Sequence, residues 1–360
     1  LIKNSMTLNK KANSKFYITS DSNISDAFSQ FKAIGINCLI VVKKSQFLGT
    51  ITDGDIRKAL LKDGNMRTPI KNIYQKNAFF IDAVDIDNHQ KIKKAFIKNH
   101  FSLIPVIDSQ DSVIKVITWF DFFGKKEVIR KIKVPMVVMA GGKGTRMAPF
   151  TNVLPKPLIP INNQTVIERI INSFHKHGKN DIYISINFKG AILKAYFQEL
   201  NPNYNVSFIK ESKPLGTAGA LSKLKQKIKN SFFLTNCDVL FDLDYKDVLD
   251  HHNKSKSLIT LVASAKEITI PYGSLQTSDD GYLSNFQEKP ILDYLINCGL
   301  YVIDPDALRY IPDNKYFDIT DLISVLLKEN HKVGVYPIND NQWVDVGQWE
   351  EYKKAVSQIT

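Results

Sequence analysis

Residues 134–147 read Val-Pro-Met-Val-Val-Met-Ala-Gly-Gly-Lys-Gly-Thr-Arg-Met. The nearly continuous apolar run over 134–140 suits a strand buried on both faces of a sheet. It breaks into a glycine-rich turn, Gly141-Gly142-Lys143-Gly144-Thr145-Arg146. Small residues there let backbone amides approach phosphate oxygens, while Lys143 and Arg146 carry positive charge. The turn fits neither GxxxxGK[ST] nor GxGxxG, so alone it assigns no ligand, and Lys143 reads equally well as a solvated side chain.

Downstream the pattern alternates. Strands are predicted over 182–187, 206–209 and 231–236 and a helix over 191–200, with Leu215-Gly216-Thr217-Ala218-Gly219 leading into another helix. Leu154-Pro155-Lys156-Pro157-Leu158 holds a lysine between two prolines in a stiff, extended loop. Alternating βα units predict an α/β domain with a mostly parallel sheet and its ligand site at the carboxyl ends of the strands. The glycine loop, Gly216 and Asp238 all fall at such ends.

The chain of 360 residues is longer than one core usually holds, so two domains are expected. The first part repeats itself. Helix 22–34, strands 37–42 and 47–51 and a helix over 54–61 are followed by helix 88–98, strands 103–107 and 113–117 and a helix from Trp119. The junctions match best, with Thr52 and Asp55 corresponding to Thr118 and Asp121. A Thr-x-x-Asp at a helix start has two readings: a cap on free amides, or a hydroxyl for phosphate with a carboxylate for ribose. The charged stretch 124–133 separates the repeat, 12–123, from the remainder, 134–360.

Composition narrows the classes. Hydrophobic residues make up 44% and charged residues 23%, which excludes a mainly disordered or fibrous chain. The net charge of +12 lies almost wholly before Val134, where 23 Lys and Arg face 12 Asp and Glu. No RNP pattern, zinc finger or basic zipper accompanies it, so no nucleic-acid partner is expected, and a solvated basic surface is favoured over one that attracts small phosphates or an acidic partner. The apolar runs are too short for a membrane span and no secretory leader is visible, although residue 1 is Leu and an upstream leader stays open. Three scattered cysteines argue against a disulfide scaffold or a Cys-rich zinc site and suit the cytoplasm. His175, His177, His251 and His252 show no metal spacing and read as structural or surface residues.

The repeat, with Gly-Thr-Ile-Thr-Asp-Gly-Asp-Ile-Arg-Lys-Ala-Leu over 49–60, resembles a tandem pair of CBS domains. Such pairs commonly bind adenine nucleotides. The resemblance implies a regulatory nucleotide at Thr52, Asp53 and Asp55, with Thr118 and Asp121 as the second-site equivalents. Lys115, Trp119 and Phe120 replace Gly49, Asp53 and Gly54 in the second copy and put that site in question.

The ordered motifs GGKGTRM, LPKP, LGTAG, NCD, EKP, NCGLY and WVDVG over 134–356 resemble the nucleotidyltransferases that make nucleotide sugars. The fold implied is Rossmann-like (GT-A-like), a mostly parallel mixed sheet following the CBS pair. The likeness is strongest to CBS-carrying sugar-1-phosphate guanylyltransferases, the branch that includes glucosamine-1-phosphate guanylyltransferases of legionaminic acid synthesis. It implies attack of a sugar 1-phosphate on the α-phosphorus of an NTP, with GTP and glucosamine 1-phosphate favoured and pyrophosphate released. The nucleophile is already an anion, so alignment and charge neutralisation would suffice without a strong base.

The resemblance also assigns roles. Asp238 and Asp345 would hold Mg²⁺, Arg146 would neutralise the β- and γ-phosphates, and Lys156 would bridge the α-phosphate and the incoming phosphate. Lys289 would hold the sugar phosphate, with Glu288, Asn297 and Gly299 against the sugar. Gly141, Gly142, Gly144, Thr145, Gly216 and Thr217 would line the nucleotide, with Asn187 a weaker base contact. Cys237 stands where the family often has glycine. CTP, UTP or dTTP stay open as alternatives, as does a catalytically silent nucleotide sensor. Homo-oligomer formation is not legible.

Overall fold

The computed structural model describes residues 13–63, 65–99, 101–123 and 129–358. The chain divides into two compact units: Leu1–Val128 with Ala265–Leu295, and Ile129–Ser264 with Ile296–Thr360.

In the first unit, β1 (Tyr17–Thr19), α1 (Ile24–Ile34), β2 (Cys38–Lys43), β3 (Gln46–Thr52) and α2 (Asp53–Asp63) form one copy of the repeat. Strand β2 pairs in parallel with β1 and antiparallel with β3. Helix α1 begins where Asn23 and Asp26 cap each other reciprocally, and it ends at Gly35, whose φ of +68° an L side chain resists. Of the apolar stripe its sequence presents, Ile24, Ala27, Phe28, Phe31 and Ile34, the first four are buried and Ile34 is half-buried. The second copy, β4 (Ile81–Asp82), α3 (His89–Asn99), β5 (Leu103–Ile107), β6 (Val113–Thr118) and α4 (Trp119–Phe123), repeats the order and the pairing. The copies share a core in which Cys38, Ile40 and Val42 pack with Leu103, Val113 and Val116. The leading strands β1 and β4 escape sequence reading because so few residues show no period.

The second unit is built on the strand quoted at the outset. Its elements run β7 (Met136–Met139), α5 (Phe150–Val153), β8 (Pro160–Ile161), β9 (Gln164–Thr165), α6 (Val166–His175), β10 (Ile182–Ile186), α7 (Gly190–Leu200), β11 (Val206–Lys210) and α8 (Gly216–Gly219). Then come β12 (Phe232–Asn236), β13 (Val239–Phe241), α9 (Tyr245–Ser255) and β14 (Ile259–Thr269). After a hairpin, β15 (Ser274–Thr277) and β16 (Leu283–Gln287), the chain continues through β17 (Ile291–Ile303), α10 (Ile319–Lys328), β18 (Val333–Asn339), β19 (Trp343–Asp345) and α11 (Trp349–Gln358). A seven-stranded sheet has the order β11-β10-β7-β12-β17-β14-β18. From β11 to β12 the neighbours are parallel, and β17 reverses against β12.

The apolar run is continuous because both faces of β7 are covered. Met136 and Val138 pack with Ile167, Ile171 and Phe174, while Val137 packs with Ala218, Leu221 and Leu322. Each such side chain contributes roughly 1.5–3 kcal/mol on burial.

Ala265–Leu295, expected inside 134–360, groups with the first unit, and Ala265 is buried there beside Ile18 and Phe28. Of the expected linker, 124–128 lie outside the described residues. The remainder is not a free tether: Ile132 is 4% exposed and Arg130 ion-pairs with Asp244 at 2.6 Å.

Candidate active site

The parallel register sets the site. Met139, Ser185, Ile209 and Asn236 stand in one row across β7, β10, β11 and β12. Immediately beyond that row lie Gly141, Asn187, Glu211 and Asp238, so four loops open at one edge of the sheet.

Asp238 and Asp345, remote in sequence, are joined by the antiparallel pair β13–β19, with Val239 opposite Asp345. Val346 donates its amide to the Asp238 carbonyl at 2.8 Å, and Gly347 donates its amide to Asp345 Oδ1 at 2.7 Å. The Cβ that Gly347 lacks would lie 2.5 Å from Asp238 Oδ2, 2.8 Å from Asp345 Oδ1 and 2.8 Å from Lys156 Nζ. Three functional groups therefore surround one point. Lys156 and Asp238 are ion-paired directly, their side chains 10% and 15% exposed. Two carboxylates suit Mg²⁺, which takes few protein ligands when phosphate oxygens and water supply the rest. No group of three or more His, Cys, Asp and Glu fit to hold a metal occurs among the described residues. The neighbouring Cys237 thiol is pushed up to about 12 by burial and then by the Asp238 charge, so it stays protonated and is no nucleophile.

The glycine loop is clamped from below. Gly144 has φ +66°, and a Cβ there would meet Lys156 Cβ at 2.9 Å. Thr151 donates to the Gly144 carbonyl at 3.0 Å, and Lys189 Nζ donates to the Thr151 carbonyl at 3.0 Å. Trp349 Nε1 donates to the Ala148 carbonyl at 3.0 Å. Lys143, Thr145 and Arg146 are exposed, and the Arg146 guanidinium has no partner among the described residues. Gly142 has open space where a Cβ would stand.

The second glycine turn is anchored by a carboxylate that the sequence did not single out. Asp318 Oδ1 accepts from the Thr217 amide at 2.9 Å and the Thr217 hydroxyl at 3.1 Å, and Thr217 Oγ1 accepts from the Ile319 amide at 2.9 Å. Burial opposes its charge, but the Thr217 amide, the Tyr316 hydroxyl and the Thr217 hydroxyl hold the Asp318 carboxyl below the usual carboxylate range. The Thr217 hydroxyl is thus committed within the protein. Gly216, at φ +76°, has Phe317 O 2.7 Å from where a Cβ would be.

Asn297 and Gly299 belong to the same unit as Asp238. Asn297 Nδ2 donates to the Tyr301 hydroxyl at 2.8 Å, and Asn297 Oδ1 accepts from the Gly299 amide at 3.1 Å. A Cβ on Gly299, φ +77°, would fall 2.6 Å from Asn236 Nδ2, which ties this bend to the end of β12. Glu288 and Lys289 lie in the first unit, both exposed, with Lys289 at φ +45°.

Glu211 is the other group that sequence reading missed. It is 6% exposed, accepts from Ser185 Oγ at 2.6 Å and from the Leu215 amide at 3.0 Å, and no motif marks it. An acidic residue just past a parallel strand end was the available signal. Asn187 donates to the Glu211 carbonyl at 3.1 Å. The histidines hold structural contacts: His177 with the Arg130 carbonyl, His252 with Thr260, and the rings of His175 and His251 beside Tyr204 and Tyr336.

In the first unit, Thr52 and Asp55 cap α2 reciprocally, as Thr118 and Asp121 cap α4. Asp55 is buried and its second oxygen accepts from Gln75 Nε2 at 2.7 Å, while Asp53 pairs with Arg57 at 3.0 Å. Asp121 is exposed.

Glycine loops, a lysine and paired carboxylates lie at the carboxyl edge of a mixed α/β sheet, an arrangement suited to phosphate groups. The nucleotidyl transferase family model matches residues 135–360 and the CBS domain model matches residues 12–62. The chain belongs to the nucleotidyl transferase family and carries a CBS domain. It is similar to a UTP–glucose-1-phosphate uridylyltransferase of Synechocystis sp., 30% identical over 61% of this chain and 62% of the relative. It is also similar to a mannose-1-phosphate guanyltransferase of Debaryomyces hansenii, 30% identical over 60% of this chain and 62% of the relative. The chain thus spans about three fifths of the length of these curated relatives. The solved UDP-glucose pyrophosphorylase from Acinetobacter baumanii matches 62% of this chain and 92% of its own at 21% identity and a TM-score of 0.50, a likeness of fold.

Proposed function

We propose that the second unit transfers a nucleoside monophosphate from an NTP to a sugar 1-phosphate, releasing pyrophosphate. The observation that carries this reading is the convergence of Lys156, Asp238 and Asp345 on one point beside Gly347, at the edge where the glycine loop opens. A sugar-phosphate oxygen attacks the α-phosphorus in line with the departing pyrophosphate. Lys156 neutralises charge on the entering and central phosphates, and Arg146 does so on the leaving one. Asp238 and Asp345 hold Mg²⁺, which when bound offsets phosphate charge. Loop amides around Gly141, Gly142, Gly144 and Thr145 orient the nucleotide, with the turn at Gly216, which Thr217 anchors to Asp318, lining it. Asn297 and Gly299 face the sugar phosphate.

GTP and glucosamine 1-phosphate are the favoured pair, supplying a nucleotide sugar for a legionaminic-acid-type bacterial surface glycan in the cytoplasm, where NTPs are made. The names of the relatives support the class and differ in base, uridylyl in one and guanylyl in the other. A regulatory nucleotide at the first unit belongs to the same proposal. The test is pyrophosphate release with Mg²⁺, crossing GTP, UTP, CTP, ATP and dTTP against glucosamine, mannose, glucose and heptose 1-phosphates. A signal with GTP and one sugar phosphate supports the reading; turnover with UTP alone reassigns the base and keeps the chemistry.

A further inference from the structure

The turn that presents Arg146 is held at both ends. Thr145–Met147 form a single 3₁₀ turn, in which the Met147 amide donates to the Gly144 carbonyl at 2.9 Å and the Ala148 amide to the Thr145 carbonyl at 3.3 Å. Met147 is fully buried and roots the turn in the core. At the entry, the Gly144 carbonyl also accepts the Thr151 hydroxyl at 3.0 Å. At the exit, the Ala148 carbonyl accepts the indole Nε1–H of Trp349 at 3.0 Å, across 201 residues of chain. The Trp349 ring lies against Phe150 at 5.0 Å and 34°, and Tyr352 meets it edge-on at 5.8 Å and 89°. Tyr352 in turn donates its hydroxyl to the Pro160 carbonyl at 2.6 Å.

Trp349 is the first residue of α11, and only Gln348 separates it from Gly347 in the segment that follows Asp345. It therefore ties the backbone that carries one charged group of the site to the turn that carries another. Trp349 is half-buried and Phe150 is 41% exposed, so the ring pair adds little to the core. What the indole supplies is directional: one donor aimed at one carbonyl. Arg146 is exposed, so the backbone turn beneath it sets where its guanidinium can reach. We propose that Trp349 is a positioning residue that latches the Arg146 turn to the Asp345 segment and so aims the guanidinium at the leaving β- and γ-phosphates. This rests on the nucleotidyl-transfer reading above, which puts Arg146 on those phosphates. A turn fixed before the ligand arrives spares binding the cost of ordering it.

The experiment titrates a nucleoside triphosphate and its monophosphate, GTP with GMP and UTP with UMP, into the full chain with Mg²⁺ by calorimetry. The proteins are wild type, Trp349→Phe, Arg146→Gln and the double variant. Phenylalanine keeps a ring against Phe150 and removes the indole donor. Trp349→Phe weakens the triphosphate that wild type binds about three- to tenfold, the size of one net hydrogen bond. Affinity for the monophosphate, which lacks the β- and γ-phosphates, and Tm stay near wild type. In the Arg146→Gln background Trp349→Phe costs nothing more, because the latch acts through that guanidinium. Unchanged triphosphate affinity in Trp349→Phe overturns the role. So does an equal loss for triphosphate and monophosphate, or the same loss in both backgrounds, either of which marks a merely structural part. If Trp349→Phe does not fold, Tyr352→Phe, which removes only the hydroxyl bracing the indole's neighbour, must show the same triphosphate-selective loss or the role is overturned. Wild type that binds a triphosphate but turns over no substrate pair sinks the transfer reading while the binding comparison still judges Trp349; wild type that binds neither triphosphate sinks both.

Discussion

Lys156 and Asp238 form an ion pair that is almost out of solvent, the lysine 10% and the aspartate 15% exposed, with the Gly347 backbone against both. The pair joins Lys156, which stands in a single 3₁₀ turn over Lys156–Leu158 rather than in the extended loop expected from its prolines, to the end of the central strand β12. Because both charges are largely desolvated, removing one leaves the other poorly compensated. Asp238→Asn is expected to lower kcat by about a hundredfold or more, in the range of a lost preorganised charge at a reacting phosphate. Initial rates at saturating substrate on folded protein measure it, and a variant with wild-type turnover would exclude Asp238 from the reaction.

Gly347→Ala separates catalysis from stability. Gly347 is not among the positive-φ glycines, so its backbone accepts an L residue, and the new Cβ would press on the ends of three side chains, at 2.5 to 2.8 Å. Those ends can swing away, so Tm should move little. Turnover should fall by about tenfold or more, because displaced charges no longer meet the reacting phosphate. A fully active Gly347→Ala enzyme would contradict the convergence described above.

Gly216→Ala should behave in the opposite way. Its φ is +76° and its Cβ would meet the backbone oxygen Phe317 O at 2.7 Å. Backbone cannot rotate aside, so the cost is stability, roughly 1–3 kcal/mol. Denaturant midpoints would show the loss directly, and an unchanged midpoint would mean that the two loops are not packed as described.

Buried and hydrogen-bonded titratable groups make folding weaker in acid, His252 and Asp318 among them. Burial drives His252 from the ordinary value of 6.5 down to about 4, the Asp304 charge opposing and His251 assisting. The unfolded imidazole therefore binds its proton at a higher pH than the folded one. This contribution is complete above 6.5 and is lost as pH falls towards 4. Asp318, also held below its ordinary value, adds a loss at still lower pH as its carboxyl protonates. Urea midpoints across this range should fall on acidification, and His252→Gln should flatten the upper part of the slope. An unaltered slope in that variant would assign the loss to other groups.

Much of this arrangement was legible in the sequence. The glycine loop, the Lys-Pro loop and LGTAG carry their own backbone signals, and the Thr-x-x-Asp junctions of the repeat appear as matched helix caps. The joining of Asp238 to Asp345 was not derivable from spacing, because β13–β19 is a short tertiary pairing with no local period. Glu211 and Asp318 were invisible for a related reason: a carboxylate buried by three-dimensional contacts looks like a surface acid in one dimension. The same holds for Ala265–Leu295, which continues the strand pattern of the second unit yet groups with the first.

The central claim is transfer rather than hydrolysis or passive binding. Phosphorus NMR of the full chain with Mg²⁺, GTP and glucosamine 1-phosphate tests it in one experiment. The account predicts equal amounts of pyrophosphate and a new nucleoside diphosphate ester, formed by wild type and not by Asp238→Asn. Release of GDP and inorganic phosphate, or an ester formed equally by both proteins, would contradict it.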